Sequence, residues 1–159
     1  MNILLVYYSH TGNNEKLAFE LRDQIGCDIY KIEEKKKRKT LHILFDFLCK
    51  HDAELVESNI DLRKYKIIIL VAPIWGSKIP SPIRAFIERE KSYLNKYFYV
   101  SICNGEEGQK EKIENELYSI IQVKPIQVLE LTICYQKKRK IKLSIPLNIE
   151  LVEKILICL

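Results

Sequence analysis

Val6-Tyr7-Tyr8-Ser9-His10-Thr11-Gly12-Asn13-Asn14 leads from an apolar, strand-like run through a hydroxyl-rich turn into a segment of helical period. In that segment Leu17, Ala18, Leu21 and Ile25 form one stripe. Strand, glycine-containing turn and helix in this order build a seat for an anion. The amide N–H groups that open a helix have no partner within it, and with the positive end of the helix dipole they hold a phosphate without a counter-charge. Ser9 and Thr11 add hydroxyl donors. No Lys or Arg stands between Met1 and Glu15, so the seat relies on neutral donors and suits one compact terminal phosphate better than a triphosphate with its metal ion. The Gly-x4-Gly-Lys-Ser/Thr loop of nucleoside triphosphate sites is absent.

Outward from this stretch, short apolar runs at residues 2–8, 28–32, 66–72, 97–102 and 126–131 read as strands. Four are nearly continuous in apolar character, as in strands buried on both faces of a parallel sheet. Helical stripes alternate with them: Leu41, Leu44, Phe45 and Leu48; Ile113, Leu117, Ile120 and Ile121; and a closing set of Leu151, Val152, Ile155 and Leu156. Ser81-Pro82, just before Ile83, Phe86 and Ile87, reads as an N-cap followed by proline at the first helical position. Residues 59–65 form a polar approach to the third strand. The alternation predicts an α/β fold, a doubly wound five-stranded parallel sheet of order 2-1-3-4-5 with helices on both faces. In that order the connections after strands 1 and 3 depart in opposite directions, and ligands bind in the crevice between them.

The chain's 159 residues fit a single domain spanning 1–159 and suffice to bury about two thirds of the unfolded surface. The first residues lack a basic n-region and a cleavage site, and no apolar run reaches the roughly 18 to 20 residues of a membrane span, so a cytoplasmic protein without membrane insertion is expected. Five scattered cysteines, Cys27, Cys49, Cys103, Cys134 and Cys158, show no metal or redox spacing and read as reduced, mostly buried thiols. The net charge of +5 comes largely from two runs, Lys35-Lys36-Lys37-Arg38-Lys39 and Lys137-Lys138-Arg139-Lys140. Without those nine cations, 17 of the 26 basic residues remain against 21 acidic ones, leaving a slightly acidic body. No aromatic interleaves the basic runs, and no nucleic-acid partner is expected. The stretch 133–145, which holds the second run, carries no clear element.

The predicted order places two further loops beside the anion seat. After strand 3 comes Ala72-Pro73-Ile74-Trp75-Gly76-Ser77-Lys78-Ile79-Pro80, with the chain's one tryptophan. Trp75, flanked by glycine and two prolines, offers a surface for a planar heteroaromatic ring, where offset stacking adds about 0.5–1.5 kcal/mol beyond area burial. Gly76 admits unusual dihedral angles and a close backbone approach. Strand 4 runs into Cys103-Asn104-Gly105-Glu106-Glu107-Gly108, a polar turn able to meet the edge of the same ring.

These loops resemble those of flavodoxins. Ser9, Thr11 and Gly12 match the Thr/Ser-x-Thr-Gly-x-Thr phosphate signature, with Asn14 in place of the last hydroxyl residue. Residues 72–86 are similar to the Pro-x-Trp/Tyr-x-x-x-x-Pro-x-x-x-x-Phe loop and helix of short flavodoxin-like FMN proteins. The resemblance spans residues 2–131, is specific in two loops and is topological elsewhere. It implies non-covalent FMN, with Ser9, His10, Thr11, Gly12, Asn13 and Asn14 at the phosphate. Pro73, Ile74, Trp75 and Gly76 would line one side of the isoalloxazine, and Cys103, Asn104 and Gly105 the other. The third loop lacks the aromatic that many flavodoxins stack on the outer ring face.

Rival chemistries of this topology fail on residue identity. A receiver domain needs an acidic pair after strand 1 and an aspartate after strand 3, where Ser9 and Pro73 stand. A low-molecular-weight phosphatase needs Cys-x5-Arg in the first loop, and none is there. An FMN-binding redox protein acting in electron transfer is the leading expectation, serving a partner protein or a small-molecule acceptor. An NAD(P)H-dependent quinone or flavin reductase is the second, favoured by Lys78 near the ring; Glu106 and Glu107 would oppose that charge. A flavin-free binding domain is the third.

Overall fold

Five parallel strands, β1 (Ile3–Tyr7), β2 (Asp28–Lys31), β3 (Ile67–Val71), β4 (Tyr97–Cys103) and β5 (Gln127–Thr132), lie in the order β2-β1-β3-β4-β5. The structure is a computed structural model that describes residues 2–36, 53–57, 60–103, 108–132, 152, 153 and 157. Every strand end falls within one residue of the expectation. β1 and β3 are buried along their whole length, which is why neither shows the polar alternation of a half-exposed strand.

The side chains of β1 part to opposite faces with period two. Leu4, Val6 and Tyr8 join one core, whereas Ile3, Leu5 and Tyr7 join the other. Helix α1 (Asn13–Ile25) covers the second face with Leu17, Ala18, Leu21 and Ile25. Helices α2 (Ser81–Glu90) and α3 (Lys110–Ile121) cover the first, through Ile83, Phe86 and Ile87 and through Ile113, Leu117 and Ile121. The connections after β1 and β3 thus leave toward opposite faces, the arrangement that defines a switch point in a doubly wound sheet. Val152, in helical conformation, packs on the α1 side.

Local details differ from expectation in two places. Helix α2 begins at Ser81 rather than after it: Pro80 holds the N-cap position in extended conformation and Pro82 lies inside the first turn. Both prolines suit a helix start because neither position needs an N–H there. Within the polar approach to β3, Leu62–Lys64 form a 3₁₀ turn capped by Asp61, whose carboxylate accepts from Arg63 N–H at 3.2 Å, and Leu62 drops into the core. Past β2, residues 33–35 pair antiparallel with 54–56 through Lys35 N–H to Glu54 C=O and Val56 N–H to Glu33 C=O, each 2.9 Å.

Cys27 is a buried free thiol, and burial pushes its pKa up. The stripe at Leu41, Leu44, Phe45 and Leu48, most of the first basic run, the second basic run and residues 133–145 lie outside the described residues. Among the described residues no helix is long and apolar enough to cross a membrane.

Candidate functional site

The first loop is built from its own residues. Ser9 Oγ accepts from Gly12 N–H at 3.1 Å, folding the turn back on itself. Gly12 then takes the left-handed conformation, φ 86°, as the N-cap of α1. A Cβ there would meet no atom within 4 Å, so the backbone angle, not crowding, demands glycine. Lys16 N–H is the first to reach back into the helix, to Gly12 C=O at 3.0 Å. The N–H groups of Asn13, Asn14 and Glu15 precede it and have no acceptor within the helix. With the Ser9 and Thr11 hydroxyls of the same turn, these amides are donor types that a phosphate site uses.

Asn14 divides its functions. Its backbone belongs to the opening turn of α1, but its side chain is buried, and Oδ1 accepts from Ile102 N–H on β4 at 3.0 Å. The amide therefore ties α1 to the sheet. Charge also enters from an unexpected direction. Glu15, in the first turn, accepts from Tyr7 Oη and from Lys31 Nζ, both at 3.0 Å. Lys31 comes from β2, where the register sets it beside Tyr7. Its hydrogen bond, followed by that of Tyr7, holds the Glu15 carboxyl below its ordinary range. Burial, then the Glu15 hydrogen bond, pushes the Tyr7 phenol up to about 12, so it stays a donor at neutral pH. A carboxylate in the first turn is thereby held by its own partners rather than by the helix amides.

The second loop is a two-residue hairpin. Trp75 and Lys78 exchange N–H to C=O bonds in both directions, each 3.0 Å. Gly76 and Ser77 between them have φ of 53° and 60°, the two left-handed central positions of a type I′ turn. Gly76 meets this without cost, while Ser77 is strained. Tyr99, fully buried in β4, donates from Oη to Pro73 C=O at 3.1 Å and anchors the start of the loop. At its end Ile79 N–H donates to Glu116 Oε2 of α3 at 2.8 Å, and Arg84 of α2 donates to both Ile79 C=O and Glu116.

The loops touch. Trp75 is half-buried, with the Tyr8 ring edge-on at 6.0 Å and the His10 ring edge-on at 6.1 Å between centroids. Such T-shaped contacts suit the aromatic quadrupole. Tyr8 is set in turn by donating from its Oη to Glu34 at 2.9 Å. The structure thus brings Ser9, His10, Thr11, Gly12, Asn13 and Asn14 together with Pro73, Ile74, Trp75 and Gly76 at one end of the sheet. Cys103 closes β4 at the same end, and Asn104 and Gly105 lie outside the described residues. Sequence reasoning did not find Tyr99, Arg84, Glu116 or Lys31. Only Lys31 left a signal, as the residue that ends the neighbouring strand.

No protein-family model and no curated protein sequence matches the chain. Solved structures do. A flavoprotein from Lactobacillus acidophilus NCFM, solved in complex with FMN, is 18% identical over 81% of this chain and 92% of its own, with a TM-score of 0.66. A flavodoxin from Streptococcus pneumonia TIGR4 is 13% identical, covering 99% of both chains at a TM-score of 0.58. A flavodoxin from the domain Archaea is 16% identical over 98% of this chain and 99% of its own, at 0.54. The fold is flavodoxin-like.

Proposed function

We propose that this chain binds FMN non-covalently at the carboxyl ends of β1 and β3 and acts as an electron carrier. The observation that carries the reading is the adjacency of His10 and Trp75, whose ring centroids stand 6.1 Å apart. An anion seat and an aromatic surface side by side suit one ligand with a terminal phosphate and a planar ring. The FMN complex of the Lactobacillus flavoprotein, which shares the fold, supports the same ligand.

In this reading the N–H groups at Asn13 and Asn14, with Ser9, His10, Thr11 and Gly12, hold the phosphate. Pro73, Ile74, Trp75 and Gly76 line one side of the ring, and Cys103, Asn104 and Gly105 the other. FMN, when bound, supplies the redox chemistry, while the protein supplies position and electrostatics. Its partner is a redox protein or a small-molecule acceptor, and the setting is cytoplasmic. Titrating the purified protein into FMN tests the reading: quenching of flavin fluorescence is expected, and a colourless protein that leaves it unchanged would overturn it.

A reductase using NAD(P)H is the second reading, favoured by Lys78, which is exposed in the same hairpin as Trp75. Anaerobic mixing with NADH or NADPH separates the two. A carrier leaves the bound flavin oxidised and photoreduces in two resolved one-electron stages; a reductase bleaches rapidly.

A further inference from the structure

We infer that Glu116 and Arg84 are positioning residues for the ring-facing loop, acting on ligand binding through Ile79 without touching the ligand. The inference rests on the FMN reading for its ligand and on the hydrogen bonds alone for its mechanics.

Ile79 is almost wholly buried, at 2% exposure, and lies between the hairpin and α2, where no strand meets its N–H or C=O. A buried amide without a partner costs about 1–3 kcal/mol. Glu116 Oε2 takes the N–H at 2.8 Å, and Arg84 gives a guanidinium N–H to the C=O at 3.3 Å. The same Arg84 nitrogen pairs with Glu116 Oε1, so one carboxylate and one guanidinium close a ring of contacts around the two peptide groups that flank Ile79 Cα. Both side chains are largely covered, 28% exposed for Arg84 and 16% for Glu116, which places the pair above the near-neutral class of surface ion pairs.

Position makes this clamp more than a brace between α2 and α3. Ile79 follows Lys78 directly, and Lys78 is locked to Trp75 by two backbone hydrogen bonds. The hairpin therefore moves as a unit on the peptide that Glu116 holds. With Tyr99 fixing Pro73 at the other end, the loop is tethered on both sides and Trp75 is set before any ligand arrives. Preorganisation of this kind spares a ligand the ordering cost. Glu116 is hydrogen-bonded to a loop 37 residues away in the chain, a reach that links α3 to the ring-facing side of the crevice.

The test uses Glu116→Ala, Glu116→Gln and Arg84→Ala in the full chain, with Trp75, the only tryptophan, as an internal reporter. Acrylamide quenching of Trp75 in ligand-free protein is expected to rise at least twofold in Glu116→Ala. FMN and riboflavin are both expected to bind about tenfold more weakly, about 1.4 kcal/mol, because the loop faces the ring that they share. Glu116→Gln keeps an acceptor for Ile79 N–H and should stay within about threefold of the parent; it also serves if the alanine variant does not fold. Arg84→Ala should fall between the two. A lowered Tm with unchanged Trp75 quenching and unchanged affinities would overturn the inference and leave a structural brace. Equal losses in Glu116→Gln and Glu116→Ala would overturn it as well. If the parent protein binds no flavin, the FMN reading fails, whereas the Trp75 measurement still decides the clamp.

Discussion

The two loops at the carboxyl end of the sheet are held in opposite ways. The first loop, proposed to face the phosphate, closes on itself: Ser9 on Gly12, a left-handed Gly12, then the opening turn of α1, with one remote tie from Asn14 to Ile102. The loop proposed to face the ring has a self-closed tip, but its placement depends on Tyr99 and Glu116, 26 and 37 residues from the groups they hold, and on Arg84, five residues from Ile79 but paired to Glu116 across the two helices. A site for a phosphate needs backbone amides in a local arrangement, which a helix start provides. A face for a planar ring needs one side chain at a fixed height above the crevice, which a short hairpin achieves only when both ends are tied.

Four substitutions probe this contrast. Asn14→Ala leaves the buried Ile102 N–H without its acceptor and should cost about 1–3 kcal/mol, read as a lower urea midpoint with an unchanged slope. Gly12→Ala keeps every contact but forces a side chain into φ 86°; about 1–2 kcal/mol of stability should be lost, and binding of FMN should weaken while that of riboflavin holds. The reverse selectivity, riboflavin alone affected, would mean that the first loop does not face the phosphate. Tyr99→Phe removes one hydrogen bond from the second loop and should cost about 0.5–1.5 kcal/mol, with FMN and riboflavin weakened alike.

Lys31→Met should have the smallest effect, under about 1 kcal/mol, since the Lys31–Glu15 pair is half open to solvent. Its pH dependence has a definite sign. The folded-state Glu15 carboxyl titrates below its unfolded value, so the pair stabilises the protein above the unfolded carboxyl pKa and loses that contribution as pH falls through the folded one. The parent and Lys31→Met melting curves should differ near neutral pH and converge in acid.

The fold and the local geometry of the first loop were legible along the chain. Strand and helix faces repeat with periods set by the backbone itself, and the switch point follows from the strand order once α1 and α2 take opposite faces. Ser9 and Gly12 shape the first loop through a contact that spans three residues. The helix start at Ser81 was misplaced by one position since two prolines flank it and either suits a first turn. Asn14 shows the limit most clearly: its residue type suggested a phosphate donor, yet its side-chain oxygen serves β4, 88 residues away.

What the sequence by itself determined is therefore the periodic and the local: five buried strands, their covering helices, a left-handed glycine at a helix start, and a Trp-Gly turn after the third strand. Tertiary structure alone decided which distant groups hold those pieces in register. Tyr99 on Pro73, Glu116 on Ile79 and Arg84, and Lys31 on Glu15 are ordinary strand and helix residues until the sheet assembles, and hydrogen bonds between remote residues leave no pattern of spacing in the chain.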